Sequence, residues 1–191
     1  MVQAAFPSAS DAIAGKYGWI GLGAMGKHMA GHVHKLNGPL KVWNRTTARA
    51  EEHAAKYGTT VVTDFADFSE CGVVFLSLPT TAQVADICGK LNLPSGAIIV
   101  DTTSGDPTAT IEVSTVLKAK NVHLVDCPVS GGPKGAEAGT LATMLGGDKE
   151  ITEPIREILL KSFSGKSVIC GPIGSGMAVK AINNTMNMAH V

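Results

Sequence analysis

Short apolar runs alternate with amphipathic stretches along most of the chain. The apolar runs are rich in β-branched side chains, as is typical of buried strands, and they lie at 17–20, 40–43, 72–78, 97–101, 122–126 and 167–170, with a further one at 139–145. Apolar residues recur at helical spacing in the segments between them, at 24–36, 47–57, 80–91, 107–118 and 151–163. Because strands and helices alternate, the pattern predicts right-handed βαβ units and a mostly parallel sheet with helices on both faces.

A glycine-rich turn follows the first predicted strand. In WIGLGAMG the glycines Gly21, Gly23 and Gly26 have the spacing G-x-G-x-x-G, and an amphipathic helix begins within the motif. The first glycine permits a tight turn, the second lets the backbone approach a pyrophosphate, and the third lets helix and strand pack closely. The sequence therefore predicts a Rossmann-type doubly wound α/β fold that binds a dinucleotide. A plain strand-to-helix turn made of small residues is the alternative.

The residues after the second predicted strand bear on which dinucleotide binds. Enzymes that prefer NAD usually carry an acidic residue there, which binds the ribose 2′-hydroxyl, whereas this chain has Asn44 followed by Arg45 and Thr46. A guanidinium can bind a 2′-phosphate through charge-assisted hydrogen bonds. We predict NADP as the cofactor, with NAD as the alternative if Arg45 is only a solvated surface side chain.

Composition excludes some classes of partner. The chain has 191 residues, and its 16 basic and 16 acidic side chains cancel, so no net charge favours nucleic acid or an anionic membrane. No apolar run reaches the roughly 18 residues of a membrane span. Cys71, Cys88, Cys127 and Cys170 have no regular spacing, which favours free thiols in a reducing compartment. We predict a cytoplasmic protein, with a mitochondrial location as the alternative.

Four segments occur in the order and spacing of the β-hydroxyacid dehydrogenase family, which the chain resembles from about residue 17 to residue 191. The segments are GLGAMG at 21–26, VDTTS at 100–104, DCPVSGGPKGAEAGTL at 126–141 and GSGMAVKAINN at 174–184. The family includes 3-hydroxyisobutyrate dehydrogenase, several semialdehyde reductases and, more distantly, 6-phosphogluconate dehydrogenase. Cys127 departs from the alanine that the family usually has at this place.

The resemblance implies two sets of site residues. The cofactor set comprises Gly21, Leu22, Gly23, Ala24, Met25, Gly26, Leu78, Pro79 and Ser104, and the argument from the second strand end adds Asn44, Arg45 and Thr46. The substrate set comprises Ser130, Gly131, Gly132, Lys180 and Asn184. Within the second set, the family pattern implies catalytic roles for Lys180, Asn184 and Ser130.

The chemistry of these side chains suits hydride transfer to and from a small carboxylate. A Ser-Gly-Gly turn offers a hydroxyl and unhindered N–H groups to a carboxylate. The alkoxide formed by hydride transfer must gain a proton, which a lysine of lowered pKa can donate, and an amide four residues later lies on the same helical face. We predict an NAD(P)-dependent oxidoreductase for a small 3-hydroxyacid or semialdehyde, most like 3-hydroxyisobutyrate dehydrogenase, with Lys180 as proton donor and acceptor.

Two alternative functions stay open. The VWNRT segment favours an NADPH-dependent glyoxylate/succinic or tartronate semialdehyde reductase. An inactive nucleotide-binding module is the alternative of another class, since family members continue into an all-helical second domain. We expect an N-terminal extension at 1–15, an NAD(P)-binding domain at 16–173 and the start of a long interdomain helix at 174–191, without the second domain. The full-length form is expected to be a homo-oligomer.

Two further pairs of polar side chains are given no chemical role. His28 and His32 have the i, i+4 spacing of metal ligands, but no third ligand accompanies them. We predict that they lie on a solvated helix face and that the chain has no metal site. Asp101 and Asp126 each end a predicted strand, and we expect them to accept hydrogen bonds from the backbone of the loop that follows.

Overall fold

The computed structural model describes residues 16–189, in which nine strands form one sheet and seven α-helices cover it. The strands are β1 (Lys16–Ile20), β2 (Leu40–Trp43), β3 (Thr60–Val61), β4 (Cys71–Leu76), β5 (Ile98–Asp101), β6 (His123–Asp126), β7 (Val129–Ser130), β8 (Leu141–Gly146) and β9 (Ser164–Gly171). The helices are α1 (Gly26–Asn37), α2 (Thr47–Tyr57), α3 (Thr81–Lys90), α4 (Pro107–Ala119), α5 (Gly132–Ala138), α6 (Lys149–Ser162) and α7 (Ser175–Ala189). The expected extension at 1–15 lies outside the described residues.

The strand order confirms the doubly wound fold. Six parallel strands run in the order β3-β2-β1-β4-β5-β6, and β8 follows antiparallel to β6 and β7, with β9 parallel to β8. The chain winds outward in opposite directions from β1 and β4. In such sheets, ligands bind at this point of reversal, beside the carboxyl ends of the strands.

The buried side chains of the central strands alternate between two hydrophobic clusters, one on each face of the sheet. Trp19 occupies the first cluster, where it stacks on Phe75 at 5.1 Å and meets Phe163 edge-on at 6.1 Å between ring centroids. Its indole Nε1 donates a 2.9 Å hydrogen bond to the backbone oxygen of Gly21. The largest aromatic group of the core therefore also holds the first residue of the glycine motif.

Four short elements were not predicted from the sequence. They are β3, β7, α5 and a 3₁₀ turn at Phe65–Phe68. Strands of two residues are too short to show alternation. Helix α5 begins within the sequence Gly-Gly-Pro, which is typical of a turn, and it ends at Gly139 in the left-handed conformation. The sequence rules that find long periodic elements do not detect elements of this length.

Helix α5 also explains why the prediction for His32 was wrong. His32 Nε2 lies 3.1 Å from the backbone oxygen of Ala136 and 3.0 Å from that of Glu137. The ring therefore binds the C-terminal end of α5 instead of lying on a solvated face. Its neighbour His28 is partly buried, and burial lowers the pKa of the His28 imidazole.

The cysteines are free thiols, as predicted. Cys71, Cys88 and Cys127 are buried, whereas Cys170 is partly exposed. Burial raises the pKa of Cys71 to about 11 and that of Cys88 to about 12, so both stay protonated and weakly nucleophilic at neutral pH. Among residues 16–189, no helix is long and apolar enough to cross a membrane.

The two strand-end aspartates have different partners. Asp101 Oδ1 accepts a 3.0 Å hydrogen bond from the Thr103 N–H in the following loop, as predicted. Asp126 does not bind its following loop through these oxygens, so that prediction was wrong. Its Oδ1 accepts from Gly174 N–H at 2.7 Å and its Oδ2 from Met177 N–H at 2.8 Å. The carboxylate of β6 thereby holds the start of α7, about fifty residues further along the chain.

Asp101 is only 1% exposed, and its Oδ2 has no hydrogen-bond partner in the described part of the chain. Desolvation raises the pKa of this carboxyl from 3.8 to about 7, and the charge of Asp126 on the neighbouring strand acts in the same direction. A carboxyl whose pKa is raised by folding stabilises the fold below its unfolded pKa. That contribution falls as the pH rises from about 4 to about 7.

We expect Asp101→Asn to remove this pH dependence, because an amide cannot ionise. The free energy of unfolding of the variant, relative to that of the wild type, should rise by on the order of 3–4 kcal/mol between pH 4 and pH 7 and then stay level. Urea titrations across this pH range measure the difference. The exposed Asp67→Asn variant is the control, and a relative stability of Asp101→Asn that does not change with pH would contradict the expectation.

Candidate active site

The three glycines of the motif differ in what their missing side chains allow. Gly21 has a φ of +100°, and a Cβ placed on it would lie 2.2 Å from the backbone oxygen of Ser77. A Cβ on Gly26 would lie 2.1 Å from the oxygen of Gly21. Around a Cβ on Gly23 there is no atom of the described residues within 4 Å. Packing therefore requires the first and third glycines, and the second leaves room for a ligand to approach the backbone.

The start of α1 suits an anionic group. No side chain caps this twelve-residue helix, and its first turn carries no acidic residue. The positive end of the helix dipole therefore points toward the turn that contains Gly23. The open space beside that glycine fits the pyrophosphate of a dinucleotide.

A cavity of about 600 Å³ lies beside this turn. Most of the predicted cofactor residues line it, namely Gly21, Gly23, Ala24, Met25, Asn44, Arg45, Thr46, Leu78 and Pro79. Gly26 is buried behind the turn and Ser104 is exposed outside the cavity. Leu22 is 2% exposed and packs in the core, so its side chain is structural, and only its backbone faces the site.

Asn44 holds the glycine turn in place. Its side-chain Oδ1 accepts a 2.9 Å hydrogen bond from Leu22 N–H, and its Nδ2 donates to the backbone oxygen of Thr46 at 2.9 Å. Both ends of the carboxamide are therefore used within the protein. The carboxamide thus links the first and second strand ends, and the contact of Asn44 with a cofactor stays a prediction.

Several residues of the cavity wall were not predicted from the sequence. These are Trp43, Arg49, Phe65, Ser77, Gln83, Asp86, Ile87 and Lys90. The rings of Trp43 and Phe65 lie 4.8 Å apart and form an apolar wall. Arg49 is the residue that the sequence could have revealed, because it lies four positions after Arg45 in the first turn of α2.

The loops beside the cavity connect it to the last helix. Leu78 N–H donates to Thr103 Oγ1 at 3.1 Å, which joins the loop after β4 to the loop after β5. Gly105 N–H then donates to Met177 Sδ in α7 at 3.3 Å. Ser104 lies between these two contacts. The cavity and α7 are thus attached to the same short loop.

Helix α7 brings the predicted substrate residues together only in part. Lys180 is partly buried, and desolvation lowers the pKa of its ammonium group. Ser130 ends β7 beside the positive-φ glycines Gly131 and Gly132. The carboxamide that reaches Ser130 is that of Asn183, whose Nδ2 donates to Ser130 Oγ at 3.3 Å. The predicted Asn184 is exposed instead, and its side chain has no hydrogen bond within residues 16–189.

Comparisons with known proteins agree with this arrangement. Residues 16–185 match the family described as the NAD binding domain of 6-phosphogluconate dehydrogenase. The chain is 36% identical over 183 residues to 2-(hydroxymethyl)glutarate dehydrogenase of Eubacterium barkeri, covering 91% of this chain and 60% of the relative. It is 33% identical over 174 residues to the probable mitochondrial 3-hydroxyisobutyrate dehydrogenase of Dictyostelium discoideum, covering 87% of this chain and 53% of the relative.

A solved structure shows the same fold. The 3-hydroxyisobutyrate dehydrogenase of Mycobacterium tuberculosis superimposes with a TM-score of 0.85 at 29% identity, over 90% of this chain and 60% of that one. The chain thus spans roughly three fifths of the length of these relatives. The glycine turn, the cavity and the family match together show a domain that binds a nicotinamide dinucleotide. The chain belongs to the β-hydroxyacid dehydrogenase family, as the NAD-binding domain that this family shares with 6-phosphogluconate dehydrogenase.

Proposed function

We propose that this chain supplies the cofactor site and the proton donor of an NAD(P)-dependent oxidoreductase for a small 3-hydroxyacid, most like 3-hydroxyisobutyrate dehydrogenase. The observation that carries the proposal is the contact between Asn183 and Ser130. Asn183 lies one turn after Lys180 on α7, so this contact supports a position of the partly buried Lys180 near the loop of Ser130, Gly131 and Gly132.

Ser130, Gly131 and Gly132 bind the substrate, and Lys180 transfers the proton. Ser130 Oγ–H and the N–H groups of Gly131 and Gly132 hold the substrate carboxylate. The bound nicotinamide dinucleotide supplies or accepts the hydride. Lys180 Nζ donates a proton to the carbonyl oxygen as that oxygen becomes an alkoxide, and in the oxidation the neutral amine takes the proton back. Desolvation lowers the pKa of Lys180, so its ammonium group gives up a proton more readily than an ordinary lysine does.

Two alternatives have specific support. Arg45 beside the cavity favours an NADPH-dependent semialdehyde reductase with the same site residues. The cofactor cavity lies within this chain, which supports a nucleotide-binding module as the other alternative. Turnover assays with this chain, and with any longer polypeptide that its gene encodes, separate the enzyme from the module. A panel of 3-hydroxyacids and semialdehydes separates the two enzymes.

A second domain in a longer protein would cover the outer face of α7. Ile182, Met186 and Met188 are 61%, 59% and 74% exposed on this helix, which is unusual for large apolar side chains in one element. We propose that an all-helical domain packs on them and closes the substrate site. We propose the cytoplasm as the location, because free thiols persist there. We propose a homo-oligomer as the assembly of the full-length form.

We propose NADP as the preferred cofactor, because two guanidinium groups line the cavity. Arg45 and Arg49 are both exposed there, and Thr46 lies beside Arg45. Among the cavity residues, Asp86 is the acidic side chain, and Lys90 pairs with it at 2.6 Å. A phosphate near the arginines would therefore meet positive charge and hydroxyl donors.

We expect Arg45→Ala to weaken NADP binding about 10- to 100-fold and to leave NAD binding unchanged, because only the 2′-phosphate loses a charged hydrogen-bond donor. Arg49→Ala should act in the same direction. Isothermal titration of this chain with both cofactors measures the effect. Asn44→Ala is the control. It removes the hydrogen bond that holds the glycine turn and should therefore weaken the binding of NAD and of NADP to the same extent. Equal losses for NAD and NADP in Arg45→Ala would refute the NADP proposal.

We expect Lys180→Met to abolish turnover in the active form while the dissociation constant of the cofactor stays nearly the same, because the variant keeps the side-chain length but has no proton to transfer. In the wild type, the oxidation rate should rise with pH and the reduction rate should fall. Both changes should share a midpoint below the ordinary lysine pKa, because desolvation lowers the pKa of Lys180.

Stopped-flow and steady-state rates between pH 6 and 10 give these profiles. The exposed Lys166→Met variant is the matched control and should retain the wild-type profile. Turnover by Lys180→Met at the rate of the wild type would exclude Lys180 as the proton donor.

A further inference from the structure

We propose that Asn183 is a positioning residue. It donates a hydrogen bond to the Ser130 oxygen, so that the Ser130 hydroxyl directs its own proton toward the substrate carboxylate. This inference rests on the proposed function, because it assumes that a carboxylate binds at Ser130. It assigns a role to Asn183, beside the Lys180 and Asn184 that the family pattern identifies. The observation behind it is the 3.3 Å hydrogen bond from Asn183 Nδ2 to Ser130 Oγ.

The direction of this bond decides what Ser130 can do. An amide NH₂ can only donate, and a serine hydroxyl has one proton and two acceptor lone pairs. When Ser130 Oγ accepts from Asn183, its own proton remains free for another acceptor. A carboxylate is acceptor-only. The chain of hydrogen bonds from Asn183 N–H to Ser130 Oγ and from Ser130 O–H to the substrate carboxylate is therefore complete, and each bond polarises the next.

Both partners are held by rigid elements. Ser130 pairs with Ala142 of β8 through the backbone. Asn183 follows the start of α7, which the Asp126 carboxylate holds through two N–H groups. A Cβ on Gly176 would lie 2.3 Å from the Met144 oxygen, so the helix backbone packs directly on β8. These contacts near the first turn fix the rotation of α7 about its axis. That rotation directs the Asn183 side chain toward Ser130.

The absence of charge on Asn183 keeps both Lys180 and Ser130 available to the substrate. Lys180 lies one turn earlier on the same helix, at a spacing where side chains can meet. A carboxylate at position 183 would pair with Lys180 and accept the Ser130 proton. Both groups would then be withdrawn from the substrate, and a second negative charge would oppose its carboxylate. An amide donates to Ser130 without either effect.

The test is a double-mutant cycle on the chain loaded with NADP⁺, with 3-hydroxyisobutyrate as the probe. Asn183→Ala should weaken binding of the probe about 5- to 10-fold, since a hydrogen bond of this kind contributes about 1 kcal/mol. Ser130→Ala should weaken it at least as much. The double variant should bind no more weakly than Ser130→Ala alone, because Asn183 acts through the serine hydroxyl.

The isosteric Asn183→Asp tests the direction of the hydrogen bond. It should bind the probe more weakly than Asn183→Ala does, because the new carboxylate accepts the Ser130 proton and repels the substrate. Asn183→His, which keeps a ring N–H donor, should recover part of the affinity. Asn187→Ala removes the same group from an exposed position of α7 and should bind the probe as the wild type does.

Three results would overturn the inference: additive losses in the cycle, wild-type affinity in Asn183→Asp, or no binding of the probe by the wild-type chain. Thermal unfolding of every variant shows whether a loss is merely structural. A failure of the proposed function would give a different result from a failure of this inference. If the chain binds the probe and the cycle is non-additive, but no form of the protein turns the hydroxyacid over, the dehydrogenase proposal fails while the role of Asn183 stands.

Discussion

The buried carboxylate of Asp126 is the contact on which the candidate site depends. Asp126 is fully buried at the end of β6, and desolvation raises its pKa while the N–H groups at the start of α7 oppose that shift. The two short hydrogen bonds to Gly174 and Met177, together with the positive end of the helix dipole, offset the cost of burying the charge. These bonds hold the start of the last helix at the carboxyl end of β6, and Asn183 of that helix contacts Ser130.

The cofactor half of the site depends on a different kind of contact. The glycine turn is held by the Trp19 indole from within the core and by the Asn44 carboxamide from the neighbouring strand. Neither of these hydrogen bonds involves α7. One loop, Thr103 to Gly105, touches both the cavity loop at Leu78 and the helix at Met177. The cofactor cavity and helix α7 are therefore held by different contacts and are joined by one short loop.

Much of the fold was predictable because it consists of long, periodic elements. The strands β1, β2, β4, β5 and β6 and the helices between them each bury one regular set of apolar residues, so the hydrophobic pattern reveals them. Helix α5 was not predictable in this way, since its seven residues begin with Gly132 and Pro133. His32 binds the C-terminal end of α5. The environment of His32 therefore could not be predicted from its spacing to His28 alone.

The sequence by itself determined the doubly wound fold, the glycine turn and the chemical groups of the site, because each of these depends on residue types at fixed local spacing. Which asparagine reaches Ser130 was decided only by the tertiary structure. Asn183 and Asn184 lie three and four residues after Lys180, on either side of it around the helix axis, so local spacing favours neither. The close packing of Gly176 on β8 and the hold of Asp126 on the first turn set the rotation of α7. These contacts join residues about thirty to fifty positions apart, and the hydrophobic pattern does not reveal them.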